Sequence, residues 1–244
     1  MTPDLSALYQ QLPIWLAAGF VGVTVFALAF FYYLLHTTSP RKAIWFTGLA
    51  TGWLALTGSL AANEFFLNLA TIPPRIMLVV VPVFASLITL TLTQAGKRFL
   101  DTLPLRPLTY FHLIRIPVEL VLFGLFLHRQ IPLMMTFEGL NPDILSGITA
   151  PVIGWLVFRK QLPTRVLLIW HLLALLLLIN IVTIALLSAP TFLQQLNFEQ
   201  PNVGILKFPF VWLPGFVVPM VALCHLAAIR QLTRRYPTHS PSIR

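Results

Sequence analysis

The chain is poor in charge: Asp, Glu, Lys and Arg together make up 9% of its 244 residues. A soluble domain carries about a quarter, so too little polar surface is available to cover a globule in water, and a water-soluble fold is excluded. Cysteine is almost absent. The single Cys224 excludes an intrachain disulfide and a cysteine-based metal centre, and within its apolar run it reads as a small hydrophobe. Acidic residues are few, 7 against 16 Lys and Arg. The basic surplus falls in short segments between apolar runs, which points to membrane topology and excludes a nucleic-acid face. No HxxxH or HExxH spacing occurs, no nucleotide-binding or effector module is recognisable, and no internal repeat suggests an inverted-repeat transporter.

What is present is apolar sequence, 57% of the chain with a mean hydropathy of +0.84. Seven segments approach the about 17–25 residues that a bilayer-crossing helix needs: roughly 13–36, 43–66, 75–95, 108–129, 144–158, 166–188 and 209–230. The expected fold is all-α, a single seven-helix polytopic membrane domain over 1–231 followed by a basic, disordered tail, 232–244. The fifth segment is the weakest, being short and carrying Ser146, Gly147, Thr149 and Pro151, so it is expected to start higher, to tilt or to be partly re-entrant. The first reads as a retained span, because Arg41 and Lys42 follow it where a cleaved leader would be preceded by them.

Charge sets the orientation. With the N-terminus outside, Arg41, Lys42, Lys97, Arg98, Arg106, Arg159, Lys160, Arg165, Arg230, Arg234, Arg235 and Arg244 fall inside. Asp4, Glu64, Glu138, Asp143 and Glu199 fall outside with only Arg75, Arg129 and Lys207. An N-out, C-in chain with seven crossings satisfies the positive-inside rule at every inner loop. Tyr32, Tyr33, Trp45, Trp155 and Trp170 are expected to anchor the interfaces.

Within the fourth segment, Arg115 and Glu119 lie four residues apart, and a charge at mid-membrane costs a few kcal/mol or more. His112, Arg115 and Glu119 share one helical face at i, i+3 and i+7, continued by Leu108, Phe123 and Phe126. Pro117 frees the Leu113 carbonyl and predicts a kink. The expectation is an Arg115–Glu119 ion pair facing the bundle interior, either a structural pair or a binding and proton-relay centre. A hydroxyl stripe (Ser86, Thr89 and Thr93, with Pro82) on the third segment and Asn180 and Thr183 on the sixth are its expected neighbours. Pro214, Gly215 and Pro219 predict a bend near the outer half of the last span.

His112, His171, His225 and His36 fall at one expected depth near the inner boundary. Imidazoles on two or more helices can hold a metal or haem, but no carboxylate lies near to orient them. No cofactor is therefore expected, and these histidines are the alternative. On the outer side, Asn141-Pro142-Asp143 reads as a turn with Asp143 capping the helix that starts at Ile144. Glu138 and Glu64 could form an acidic vestibule.

Arg115-Ile-Pro-Val-Glu119, Thr136-Phe-Glu-Gly-Leu-Asn141-Pro-Asp143-Ile and Gly147-Ile-Thr-Ala-Pro151 resemble a family of uncharacterised bacterial seven-helix integral membrane proteins. The resemblance implies a multi-pass protein of the bacterial inner membrane and no particular activity. From the residues themselves, the expected function is small-molecule or ion handling, as transporter or ligand sensor, through Arg115, Glu119, His112, Asn141, Asp143, Glu138 and Glu64. The alternatives are an intramembrane enzyme using the histidines and a scaffold that assembles with itself or a partner subunit; the surrounding partner is the lipid bilayer.

Overall fold

A computed structural model describes residues 2–234; of the expected disordered tail 232–244, Leu232 to Arg234 instead end a helix, with Leu232 buried, and the rest, with Arg235 and Arg244, lies outside the described residues. The described residues contain α-helices, short 3-10 turns, one π turn and no strands. The helices are α1 (Ile14–His36), α2 (Pro40–Ala62), α3 (Met77–Leu92), α4 (Gln94–Thr102), α5 (Leu105–Phe111), α6 (Arg115–Leu127), α7 (Ile144–Phe158), α8 (Thr164–Ser188) and α9 (Val218–Arg234). They form where the apolar runs lie, because in lipid a backbone satisfies its polar groups only within a helix.

Five helical segments are long and apolar enough to cross a membrane: α1, α2, α5–α6 (Leu105–Leu127), α8, and Leu213–Arg234, which includes α9. The remaining two of the seven expected spans depart from full length. α3 turns by 86° into α4, and Thr93 caps the new helix by accepting from Gly96 N at 3.1 Å. α4 is strapped to the end of α9, where Arg230 meets Asp101 at 3.0 Å and Arg234 joins the same carboxylate. α7 has 15 residues and is about 22 Å long, against a hydrocarbon core of about 30 Å.

The position of α7 explains its length. It runs beside α5 and the start of α6 with Gly147 against Ile116 and Gly154 against the Tyr110 ring; a Cβ on either glycine would lie 2.8 Å from those side chains. α7 therefore begins near the level of Glu119 and covers only one half of the α5–α6 span. The other half is filled by the irregular loop 128–143, whose Gln130, Ile131, Met135, Thr136 and Asn141 are buried while Leu133, Glu138, Gly139 and Leu140 are exposed. Gln200 Nε2 donates to Ile131 O at 2.6 Å, Val203 N and Gly204 N donate to Gln130 O, and Gln130 Nε2 donates to Ala7 O at 3.1 Å.

Proline breaks the regular helix at two further places. Pro117 cannot donate to the Leu113 carbonyl, and the chain tightens into a 3-10 turn at His112–Ile114. Pro219 likewise leaves the Gly215 carbonyl free beside the π turn Leu213–Val217, and Trp53 Nε1 donates to it at 3.0 Å. α9 is the most enclosed span, packing against α3, α4, α5 and α8. Its Ala222, Ala227 and Ala228 are buried, and small residues of this kind let helices approach in lipid. α1 and α2 pack together at the side and expose leucines, aromatics and Trp45.

Candidate functional site

Arg115 and Glu119 are buried on the inward face of α6, while Leu113, Pro117 and Leu120 face outward. Their partners differ from the expected pair. Arg115 Nη1 donates to Asp143 Oδ1 at 2.6 Å and to Ala174 O of α8 at 3.2 Å. Glu119 instead accepts from Asn141 Nδ2 at 2.9 and 2.8 Å. The long guanidinium reaches across to the start of α7 because Gly147 brings that helix against Arg115 and Ile116. Asp143 thus forms no side-chain cap on α7; its carboxylate is taken by Arg115.

Asn141 is the hinge of this arrangement. Its amide also donates to Met135 O at 3.0 Å, and its carbonyl accepts from Asp143 N at 3.3 Å. One buried side chain ties Glu119, the loop and the start of α7 together. Arg115 keeps two buried donors, Nε and Nη2, without a partner among the described residues.

Arg115, Glu119 and Asp143 form part of the wall of a cavity of about 200 Å³. The remaining wall is almost wholly apolar, from Met77, Val80 and Phe84 of α3, Val182 and Leu186 of α8, and Val218 of α9 among others. α3 and α8 both pack against α9 but make little contact with each other, and Met77, Val80, Phe84 and Val182 are partly exposed. The cavity accordingly opens sideways, between α3 and α8.

Several expected neighbours are elsewhere. Ser86, Thr89 and Thr93 are exposed and bond back to their own helix, Ser86 Oγ donating to Pro82 O at 2.7 Å. Asn180 and Thr183 are also exposed; Asn180 donates to Leu140 O at 2.8 Å. Glu138 and Glu64 are exposed and outside the cavity wall, so the acidic vestibule is not continuous with it.

One turn along the bundle lies a second cluster. His112 precedes Arg115 by three residues, and His171 precedes Ala174 by three. With His225 of α9 they meet in the interior, all three fully buried. His171 Nδ1 and His225 Nδ1 are 2.9 Å apart, and the His112 and His225 rings stack with centroids 3.8 Å apart. Trp170 is buried too, its ring edge-on to His112 and its Nε1 donating to Thr149 Oγ1 at 2.9 Å. It belongs to this cluster and is not the interface anchor expected of it. His36 is exposed against Tyr32 and takes no part.

The signal for the Arg115–Asp143 pair is the weakness of the fifth segment: a short helix starts beside the middle of the α5–α6 span, and a buried carboxylate at its start needs a cation. Asp101 and Thr109, whose hydroxyl lies 3.4 Å from His171 Nε2, stand in no pattern of the sequence that marks them.

No curated protein and no solved structure matches the chain. Residues 72–233, which hold both clusters and the whole cavity wall, match the profile of a family described as Domain of unknown function (DUF8737), and the chain belongs to that family.

Proposed function

We propose that this is a seven-crossing protein, N-out and C-in, of the bacterial inner membrane that binds a small amphipathic molecule between α3 and α8, as the ligand site of a transporter or sensor. The fifth crossing is composite, the loop 128–143 entering and α7 leaving. Grouping of charge supports the orientation: Lys97, Arg98, Arg230 and Arg234 gather at the end where α4 meets α9, opposite the end where Asp4 and Arg129 pair at 3.3 Å.

The observation that carries the reading is the lateral apolar cavity with Arg115, Glu119 and Asp143 in its wall. A dry apolar cavity of about 150 Å³ accommodates benzene. This one suits a small ring or the terminal part of a longer chain rather than a whole lipid. Two carboxylates beside one guanidinium favour a head group that offers a hydrogen-bond donor over one that carries a negative charge. A hydroxyl offers one; a carboxylate head meets the two acids.

The test is equilibrium binding of twelve-carbon alcohol, amine and carboxylate probes to the full chain in nanodiscs. The alcohol should bind in preference to the carboxylate, and Val218→Trp, which fills the cavity, should abolish that binding. Equal binding of all three probes, unchanged in Val218→Trp, would sink the proposal.

A further inference from the structure

We propose that His112, His171 and His225 bind one transition-metal ion of the zinc or copper class, at a site separate from the lateral cavity. The three imidazoles come from three different spans, and their ligand atoms lie within 4.8 Å of one another. All are buried, out of reach of bulk solvent. His112 Nδ1, His112 Nε2 and His225 Nε2 have no partner among the described residues. Each such orphan is destabilising in an apolar interior. Leucine or phenylalanine would fill the same space without that cost, and a metal ion gives the one lone pair of the His112 ring a partner.

The local chemistry is arranged for coordination. Thr109 Oγ1 donates to Leu105 O at 3.0 Å, so its lone pair faces His171 Nε2 at 3.4 Å. That sets the Nε2 proton on His171 and turns the Nδ1 lone pair toward His225 Nδ1, the orienting role that a hydroxyl or carbonyl plays behind a ligating histidine. Two nitrogens bound at about 2.0–2.1 Å to a tetrahedral ion are a little over 3 Å apart, close to the 2.9 Å between His171 Nδ1 and His225 Nδ1. The stacked His112 ring then supplies the third nitrogen through a side-chain rotation. Neutral nitrogen donors without sulfur or carboxylate suit zinc and copper among the first-row metals, and three protein ligands leave a fourth position open.

The test uses the full chain in detergent, purified without a polyhistidine tag, stripped with chelator, and loaded separately with Zn²⁺, Co²⁺ and Cu⁺. Elemental analysis after desalting should give about one ion per chain for at least one of them, with a visible ligand-field spectrum if Co²⁺ binds. Thr109→Val should weaken binding about tenfold, while His36→Ala should leave it unchanged. Retention below about a tenth of an equivalent of all three ions by the wild-type chain would overturn the proposal whatever the variants do. So would full retention by His171→Ala/His225→Ala, which would place the metal elsewhere. Val218→Trp should bind metal normally, so failure of the amphiphile reading and failure of this one are distinguishable.

Discussion

Replacing Asp143 with Leu should be the most damaging single change in the cavity wall. It removes the carboxylate 2.6 Å from Arg115 and leaves the guanidinium with only the Ala174 carbonyl at 3.2 Å. An uncompensated charge in such a site destabilises by about 3–5 kcal/mol, whereas replacing both partners with apolar residues is near neutral. Since about 1.4 kcal/mol is a factor of ten, Asp143→Leu should shift the folding equilibrium at least a hundredfold, and adding Arg115→Met should recover most of the loss. Unfolding by SDS in mixed micelles measures all four corners of this cycle. The parallel cycle with Glu119→Gln should show a much smaller coupling, because Glu119 is held by Asn141. A larger coupling of Arg115 to Glu119 than to Asp143 would refute the assignment of partners.

Further outcomes follow from neighbouring contacts. Asn141→Leu strips Glu119 of its amide donor and should cost about 1–3 kcal/mol by the same unfolding assay. Gly147→Val sets a Cβ 2.8 Å from Ile116 Cγ1 and 3.1 Å from its backbone nitrogen; it should cost about 1–3 kcal/mol and weaken alcohol-probe binding by moving Asp143 away from Arg115. Lys207, on the loop before the last span, donates to Ala7 O and Gln10 O. Burial lowers its pKa to about 8 despite the opposing pull of Glu64. Its pKa is lower folded than unfolded, so the unfolded chain binds more protons between pH 8 and the ordinary lysine range, and stability rises with pH there. The thermal midpoint should climb from pH 8 to pH 10 in the wild type and lose that slope in Lys207→Met.

Much of this architecture can be read along the chain, and the exceptions share a cause. Long apolar runs specify helices because lipid leaves the backbone no alternative. Ile14–His36 and Thr164–Ser188 accordingly start and stop within two residues of where hydropathy puts them. The inward face of His112, Arg115 and Glu119 follows from helical period alone. What period cannot reveal is which partner a long side chain chooses. Glu119 is one turn from Arg115 in sequence, yet Asp143, 28 residues away, takes the guanidinium because the short α7 begins beside Arg115. The histidines show the same gap. Each is cheap at an interface when considered alone, and only the packing of α9 against α5 and α8 brings the three together. Trp170 reads as an interface anchor for the same reason, until His112 is found beneath it.

The lateral cavity is tested most directly by labelling the full chain in nanodiscs with a photoreactive long-chain alcohol and mapping the modified residues by mass spectrometry. Occupancy of the cavity predicts labels concentrated on Met77, Val80 and Phe84 of α3 and on Val182 and Leu186 of α8, suppressed by excess unreactive alcohol and absent in Val218→Trp. Labels spread evenly over the exposed lipid-facing residues Leu172, Leu176 and Ile179, insensitive to competitor, would contradict it.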